Sequence, residues 1–381
     1  MKMYSMKKRL SIVLMLVFFV CFGGSVLGQE KKGDEDNEKK LREEILAVYQ
    51  SKGEEGLRNF EKVKIDQITP QFIVELASVG VKEGNEEWLQ ISELLSELKN
   101  DKKIQAEVYY QIGENFRLIL EKKKSIDYFE RALSIYVEIN NTIGQGNVFW
   151  RKGIIYLASG EYPKSLKMCD KALSFFVKSN SFLGQAHVYK KKGQIYLHKI
   201  DYQNALEMYD KAMSLYKKCN DLLAQGKIYR DKGDVYFFME NYPKASEKYE
   251  KSLNVFLKTE SFKEQGDIYF RNGEIFFRTG DIEKALKMYN KALSLFVKSN
   301  ARLEQGNVFV SKSQLYLIKG NNIEALKMCE KALYFYSEEN NMVGQGNVYK
   351  SKGDIYLKTG EVKNAIVKGA KLNGNGSCDQ D

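Results

Sequence analysis

Residues 144–176 read GQGNVFWRKGIIYLASGEYPKSLKMCDKALSFF, and residues 184–216 read GQAHVYKKKGQIYLHKIDYQNALEMYDKAMSLY. The second stretch is the first displaced by 40 residues, and the pattern runs on at that interval. Seven copies begin at Ile104, Gly144, Gly184, Ala224, Glu264, Glu304 and Gly344, without one insertion. A fixed interval of this size marks a stacked-repeat architecture, in which each copy is a supersecondary unit that its neighbours complete.

Comparing the copies separates core from surface. A glycine recurs as Gly113, Gly153, Gly193, Gly233, Gly273 and Gly353, with Ser313 the exception. Three residues later stands an aromatic: Phe116, Tyr156, Tyr196, Tyr236, Phe276, Tyr316 and Tyr356. A small residue follows (Ser165 and Ala205, for example), then Phe129, Cys169, Tyr209, Tyr249, Tyr289 or Cys329. These positions fall three, four and seven apart, so they line one face of a helix. Two helices fit each copy, over about 145–159 and 162–178 in the second, and Gly160, Gly280, Gly320 and Gly360 stop the first of them. Small residues let the two helices approach, and one hairpin cannot bury its own apolar face. The expected fold is all-α.

The order G-x-x-Y, then A-x-x-x-Y-x-x-A-L, resembles the tetratricopeptide repeat, in its long-helix variety of 40 residues. The resemblance covers residues 104–366 and implies a right-handed superhelical solenoid with a concave ligand groove, its inner wall built by the first helix of each copy. Two departures stand out. Lysine precedes the glycine at Lys152, Lys192, Lys232, Lys312 and Lys352, where the family has leucine; a buried stem with the ammonium in water is expected. The asparagines of the peptide-clamping variants are replaced by Arg151, Lys191, Asp231 and Arg271 at one place and by Ile154, Gln194, Asp234 and Glu274 at the other, so no standard carboxylate clamp is expected.

The ends differ from the array. Lys2, Lys7, Lys8 and Arg9 precede an apolar run over residues 11–22, the order of a secretory leader, with cleavage expected near Gly28. Export to a periplasmic or secreted location follows, or a membrane anchor if the leader stays uncut. The leader carries four basic residues and no acidic one, so its loss takes the formal charge from +10 to +6. Charges alternate in sign along the helices, which argues against nucleic acid as a partner. After cleavage no membrane contact is expected. Residues 29–40 read as a charged linker, and 41–103 as an N-terminal helical cap in which Pro70 opens a helix. The last copy decays after Ala365, leaving 367–381 as a degenerate tail and suggesting a truncated or shifted frame.

Chemistry is sparse. His187 and His198 are eleven residues apart on one helix, about 16 Å, too far to share a metal. Neither a phosphate loop nor a nucleophile elbow occurs, so no catalytic residue, metal or cofactor is assigned. Cys169 and Cys329 read as small buried hydrophobes.

The copies vary most on the expected inner wall. The residue three before the glycine is Tyr110, Trp150, Lys190, Arg230, Phe270, Val310 and Lys350, with Arg151, Lys191 and Arg271 beside it. Aromatics flank a basic centre, the residue types that dominate protein contacts. The expected role is a non-enzymatic scaffold holding a protein or peptide with an acidic segment and apolar ends. The rival reading is the sensing half of a longer effector whose catalytic domain lies elsewhere.

Overall fold

A 40-residue copy with two apolar helical faces and a left-handed stop between them can only fold as a hairpin, and the computed structural model shows that hairpin in every complete copy it describes. It describes residues 31–64 and 68–359; the leader with its cleavage point, Gly360 and the 367–381 tail lie outside them. In chain order the helices are α1 Lys31–Lys64, α2 Pro70–Glu83, α3 Glu86–Leu98, α4 Lys102–Leu118, α5 Lys122–Glu138, α6 Thr142–Ala158, α7 Tyr162–Lys178 and α8 Phe182–His198. Then come α9 Tyr202–Lys218, α10 Leu222–Phe238, α11 Tyr242–Lys258, α12 Phe262–Arg278, α13 Ile282–Lys298, α14 Arg302–Ile318, α15 Asn322–Glu338 and α16 Met342–Thr359. No strand occurs among the described residues, and no helix there is long and apolar enough to cross a membrane.

The chain divides into two compact units, residues 1–135 and 136–381. In the first, Phe72, Ile73, Leu76, Ile91, Leu95, Val108 and Phe129 are buried together with Ile45 and Leu57 of α1. Residues 31–40, expected as a solvated linker, are instead helical. Their Lys and Glu are good helix formers, and α1 breaks only at Gly53 (φ 60°, ψ −152°). Pro70 does open α2, where Thr69 Oγ1 accepts from Phe72 N at 3.1 Å. Asn115 donates to Ser78 Oγ at 2.8 Å, tying α4 to α2.

The second unit is a solenoid of antiparallel helix pairs. Helix α6 starts three residues ahead of its expected point because Asn141 Oδ1 caps Gly144 N at 2.9 Å. Each pair turns through one left-handed residue. Glycine serves at Gly160, Gly280 and Gly320 (φ 72°, 82° and 77°), but the same place holds Ile200 at φ 61°. A β-branched residue there costs roughly 1–2 kcal/mol, and Ile200 is 70% exposed, so nothing offsets it. Ile200→Gly should therefore stabilise the chain by about 1 kcal/mol, seen as a rise in its denaturation midpoint.

Between pairs the left-handed residue is asparagine at Asn180, Asn220, Asn300 and Asn340, and glutamate at Glu260. The glutamine five residues after each of these closes the joint. Gln185, Gln225, Gln265, Gln305 and Gln345 donate from Nε2 to the carbonyls of Phe176, Tyr216, Phe256, Phe296 and Tyr336, at 2.9–3.5 Å. Each of those carbonyls lies in the last turn of the preceding second helix and also accepts the backbone N–H five residues on. The glutamine thus stitches one pair to the next.

The lysines before the glycine make a second stitch. Lys192 reaches Asp170 (2.7 Å), Lys232 reaches Asp210 (2.8 Å), Lys312 reaches Asn290 (2.9 Å) and Lys352 reaches Glu330 (3.5 Å). Each stem packs between copies while the head meets an acceptor on the preceding second helix. Cys169 and Cys329 are buried free thiols, and burial pushes the Cys169 thiol up to about 12.

Candidate functional site: the face of the first helices

In the second unit the first helices α6, α8, α10, α12 and α14 lie side by side, joined by side chains 37 residues apart in sequence. That offset is one copy forward less one helical turn, so the partners sit at the same height on neighbouring helices. Trp150 stacks on His187, centroids 5.4 Å apart with planes at 17°. Lys227 meets Glu264 at 3.2 Å, and Arg230 Nη1 meets Asp267 Oδ2 at 3.4 Å. Arg271 Nη2 meets Asp234 Oδ2 at 3.1 Å, and Ser311 donates to Glu274 at 3.0 Å. Second helices contribute phenols from behind: Tyr249 donates to Asp234 Oδ1 at 2.8 Å, and Tyr289 donates to Glu274.

The centre is charge-balanced. Arg230 also holds Asp231 Oδ1 (Nη2 at 3.0 Å), and Lys190 lies 3.6 Å from Asp231 Oδ2. Burial alone would raise the Asp231 carboxyl, but Arg230 and Lys190 outweigh it and hold it below its ordinary range. Burial also tends to lower the Arg230 guanidinium, and Asp231, Asp234 and Asp267 override that and raise it. For Asp234 and Asp267 burial wins, and both carboxyls move up. Burial lowers Lys190 and His187 as well.

The structure brings together Trp150, Lys190, Arg230, Phe270 and Arg271 on this face, but it changes what they offer. Lys190, Arg230 and Arg271, expected as a basic centre, already face Asp231, Asp267 and Asp234. Lys191 donates to Gln194 at 2.7 Å, and Arg151 lies 4.5 Å over the Trp150 ring. Phe270 is half-buried against Tyr289 (5.5 Å), and Lys350 is exposed on α16. Tyr110 belongs to the first unit, where it is buried (8% exposed) against Phe129, so it is a core residue rather than an anchor. Gly153, Gly193, Gly233 and Gly273 face residues of the second helices, and a Cβ at Gly353 would meet nothing within 4 Å among the described residues. Reading the wall by single positions missed Asp267 and His187, both six before the glycine; the 37-residue offset would have found them.

The family model described as soluble NSF attachment protein matches residues 79–254, and the tetratricopeptide repeat model matches residues 266–296. No curated protein matches the chain. Among solved structures, aspartyl phosphate phosphatase F from Bacillus subtilis is 15% identical with a TM-score of 0.58, covering 94% of this chain and 100% of that one. The apo quorum sensor NprR from B. thuringiensis is 14% identical, TM-score 0.56, over 90% and 99% of the two chains. A Rap protein complexed with competence and sporulation factor is 11% identical, TM-score 0.56, over 88% and 95%. Identities this low carry a likeness of fold.

Hairpins in one register, stitched pair to pair, define a helical-repeat solenoid. The chain is a helical-repeat protein of the tetratricopeptide type.

Proposed function

We propose that the chain is a non-enzymatic scaffold that holds a protein or peptide segment against the face of its first helices. One observation carries the reading. The residues that build the hairpins repeat from copy to copy, whereas the wall residues Trp150, Lys190, Arg230 and Phe270 differ at one and the same position. The lattice fixes those differing side chains before any ligand arrives, which lowers the ordering cost of binding. A Rap protein of this fold is complexed with competence and sporulation factor, which supports a protein or peptide as the partner. The leader-like residues 1–28 support action outside the cytoplasm.

Because the central cations already face carboxylates, an acidic segment at the ligand's middle would have to displace them. The reading is therefore narrowed to a segment with apolar residues over Trp150 and Phe270 and a polar stretch between. Aromatic anchors of this kind typically carry about 2 kcal/mol or more of binding energy. With a random-sequence peptide library passed over the immobilised chain, Trp150→Ala and Phe270→Ala should each weaken the recovered peptides by roughly tenfold or more. Equal retention by both variants would refute the assignment.

A further inference from the structure

The joint between α6 and α8 differs from the others on the wall. Elsewhere the 37-residue contacts described above pair a donor with an acceptor: Lys227 with Glu264, Arg230 with Asp267, Arg271 with Asp234, Ser311 with Glu274. Trp150 and His187 meet only through their ring faces. Tyr216 of α9 closes the far side of the imidazole at 5.8 Å, tilted by 55°. The imidazole is therefore held between two aromatic rings, and its nitrogens have no hydrogen-bond partner among the described residues. The Trp150 indole N–H is buried and likewise has no partner there.

The unpaired Trp150 N–H is costly, since a buried polar group without a partner loses about 1–3 kcal/mol, and the half-buried His187 stands beside it with no hydrogen bond of its own. The charges around the joint say what is missing. Lys190 on the same helix and Arg151 on α6 place positive charge beside His187, and Asp221, just before α10, is the acidic residue that acts on it. Asp221 is already occupied in capping Ala224 N at 2.9 Å. The joint is rich in donors, positive in field and floored by aromatic surface. A carboxylate supplies the acceptors and the opposite charge together.

Resting on the scaffold reading above, we infer that His187, at the Trp150–His187 joint, is the hydrogen-bonding partner of a carboxylate of the bound segment that flanks the apolar residue anchored at Trp150. The acidic element of the ligand is thereby placed at the α6–α8 end of the wall, away from the charge-balanced centre. Burial first, then Lys190 and Arg151, hold the free imidazole below the usual histidine range. An arriving carboxylate favours the imidazolium and raises it. Binding should accordingly tighten as pH falls through the interval between the free and bound values, until the ligand carboxyl itself protonates near pH ~4.

The test is a selection of random-sequence peptides on the immobilised chain, in one pool with free C-termini and one with amidated C-termini. Wild type should enrich carboxylate-bearing peptides in addition to apolar ones, and retain them more strongly at pH 6 than at pH 8. Enrichment of Asp or Glu in both pools assigns a side-chain carboxylate; enrichment confined to the free-ended pool assigns the terminal one. His187→Phe keeps the ring stack and removes the nitrogens. It should lower the affinity of the acid-bearing peptides roughly tenfold and abolish their pH dependence, with apolar enrichment retained. His187→Gln, which hydrogen-bonds but does not titrate, should keep part of the acid preference and lose the pH dependence. Matching helical content and thermal midpoint confirm that both variants fold. Apolar peptides retained without acid enrichment, or acid enrichment indifferent to His187→Phe, would overturn this role of His187 and leave the scaffold reading standing. Wild type retaining no peptide overturns the scaffold reading with it.

Discussion

Replacing Gly233 with alanine should destabilise the chain by about 2–3 kcal/mol, although alanine is the better helix former by about 1 kcal/mol. A Cβ at this position would stand 2.4 Å from Cε1 and 2.5 Å from Cδ1 of Tyr249. The ring is almost wholly buried and cannot retreat, because its hydroxyl is held by Asp234 at 2.8 Å. The chain contains its own control. Gly153 faces Cys169, whose Sγ would lie 3.2 Å from the added carbon, so Gly153→Ala should be close to neutral. Copy 304 has already made a larger change: Ser313 stands in the glycine's place, and the residue opposite is Cys329, 3.1 Å away, instead of tyrosine. Urea denaturation of the two variants side by side measures the contrast. Equal losses would mean that ring bulk does not set the glycine.

The second large effect concerns the ion lattice. Arg230→Met keeps most of the stem and removes the charge, leaving Asp231 buried with Lys190 and the more distant Arg271, and Asp267 without its ion pair. Breaking a buried pair by removing one partner costs about 3–5 kcal/mol, and the partial exposure of Arg230 places the expected loss near the lower end. The pH dependence should change with it. In the native chain the Asp231 carboxyl lies below its unfolded value, so its share of stability is present above that value and lost as pH falls through the folded one. Without Arg230, burial dominates and the carboxyl should rise above its unfolded value. The variant should then gain stability as pH falls. Adding Asp231→Asn should recover part of the loss and flatten the profile. Thermal midpoints of the three chains between pH 4 and pH 8 check both the size and the sign.

These residues also show how far the sequence could be read. The register of hairpins was legible because the glycine, the aromatic beyond it and the bulky or sulfur-bearing residue on the second helix must fit one another in every copy. The second helix of the copy starts where the apolar period places it, at Tyr162, but α6 starts three residues earlier than expected, since Asn141 caps through a side chain and leaves no trace in that period. The glutamine at the start of every copy has a role that the repeat does not spell out, because it requires the carbonyl nine residues earlier, an acceptor that every residue carries. On the wall, Lys190, Arg230 and Arg271 were found as cations, but their charge could not be weighed. Asp267 and Asp234, the partners of Arg230 and Arg271, lie one copy away less a helical turn, and only stacking brings them within reach. The spacing of His187 from His198 says nothing of its stack on Trp150, because Trp150 lies on another helix.

The whole account turns on which face of the hairpins meets the partner. Hydrogen–deuterium exchange on the chain, with and without a peptide recovered from the library, tests this directly. Slowed exchange should concentrate in α6, α8, α10 and α12, strongest around Trp150 and Phe270, with α7, α9, α11 and α13 little changed. Slowing confined to the second helices would contradict the account.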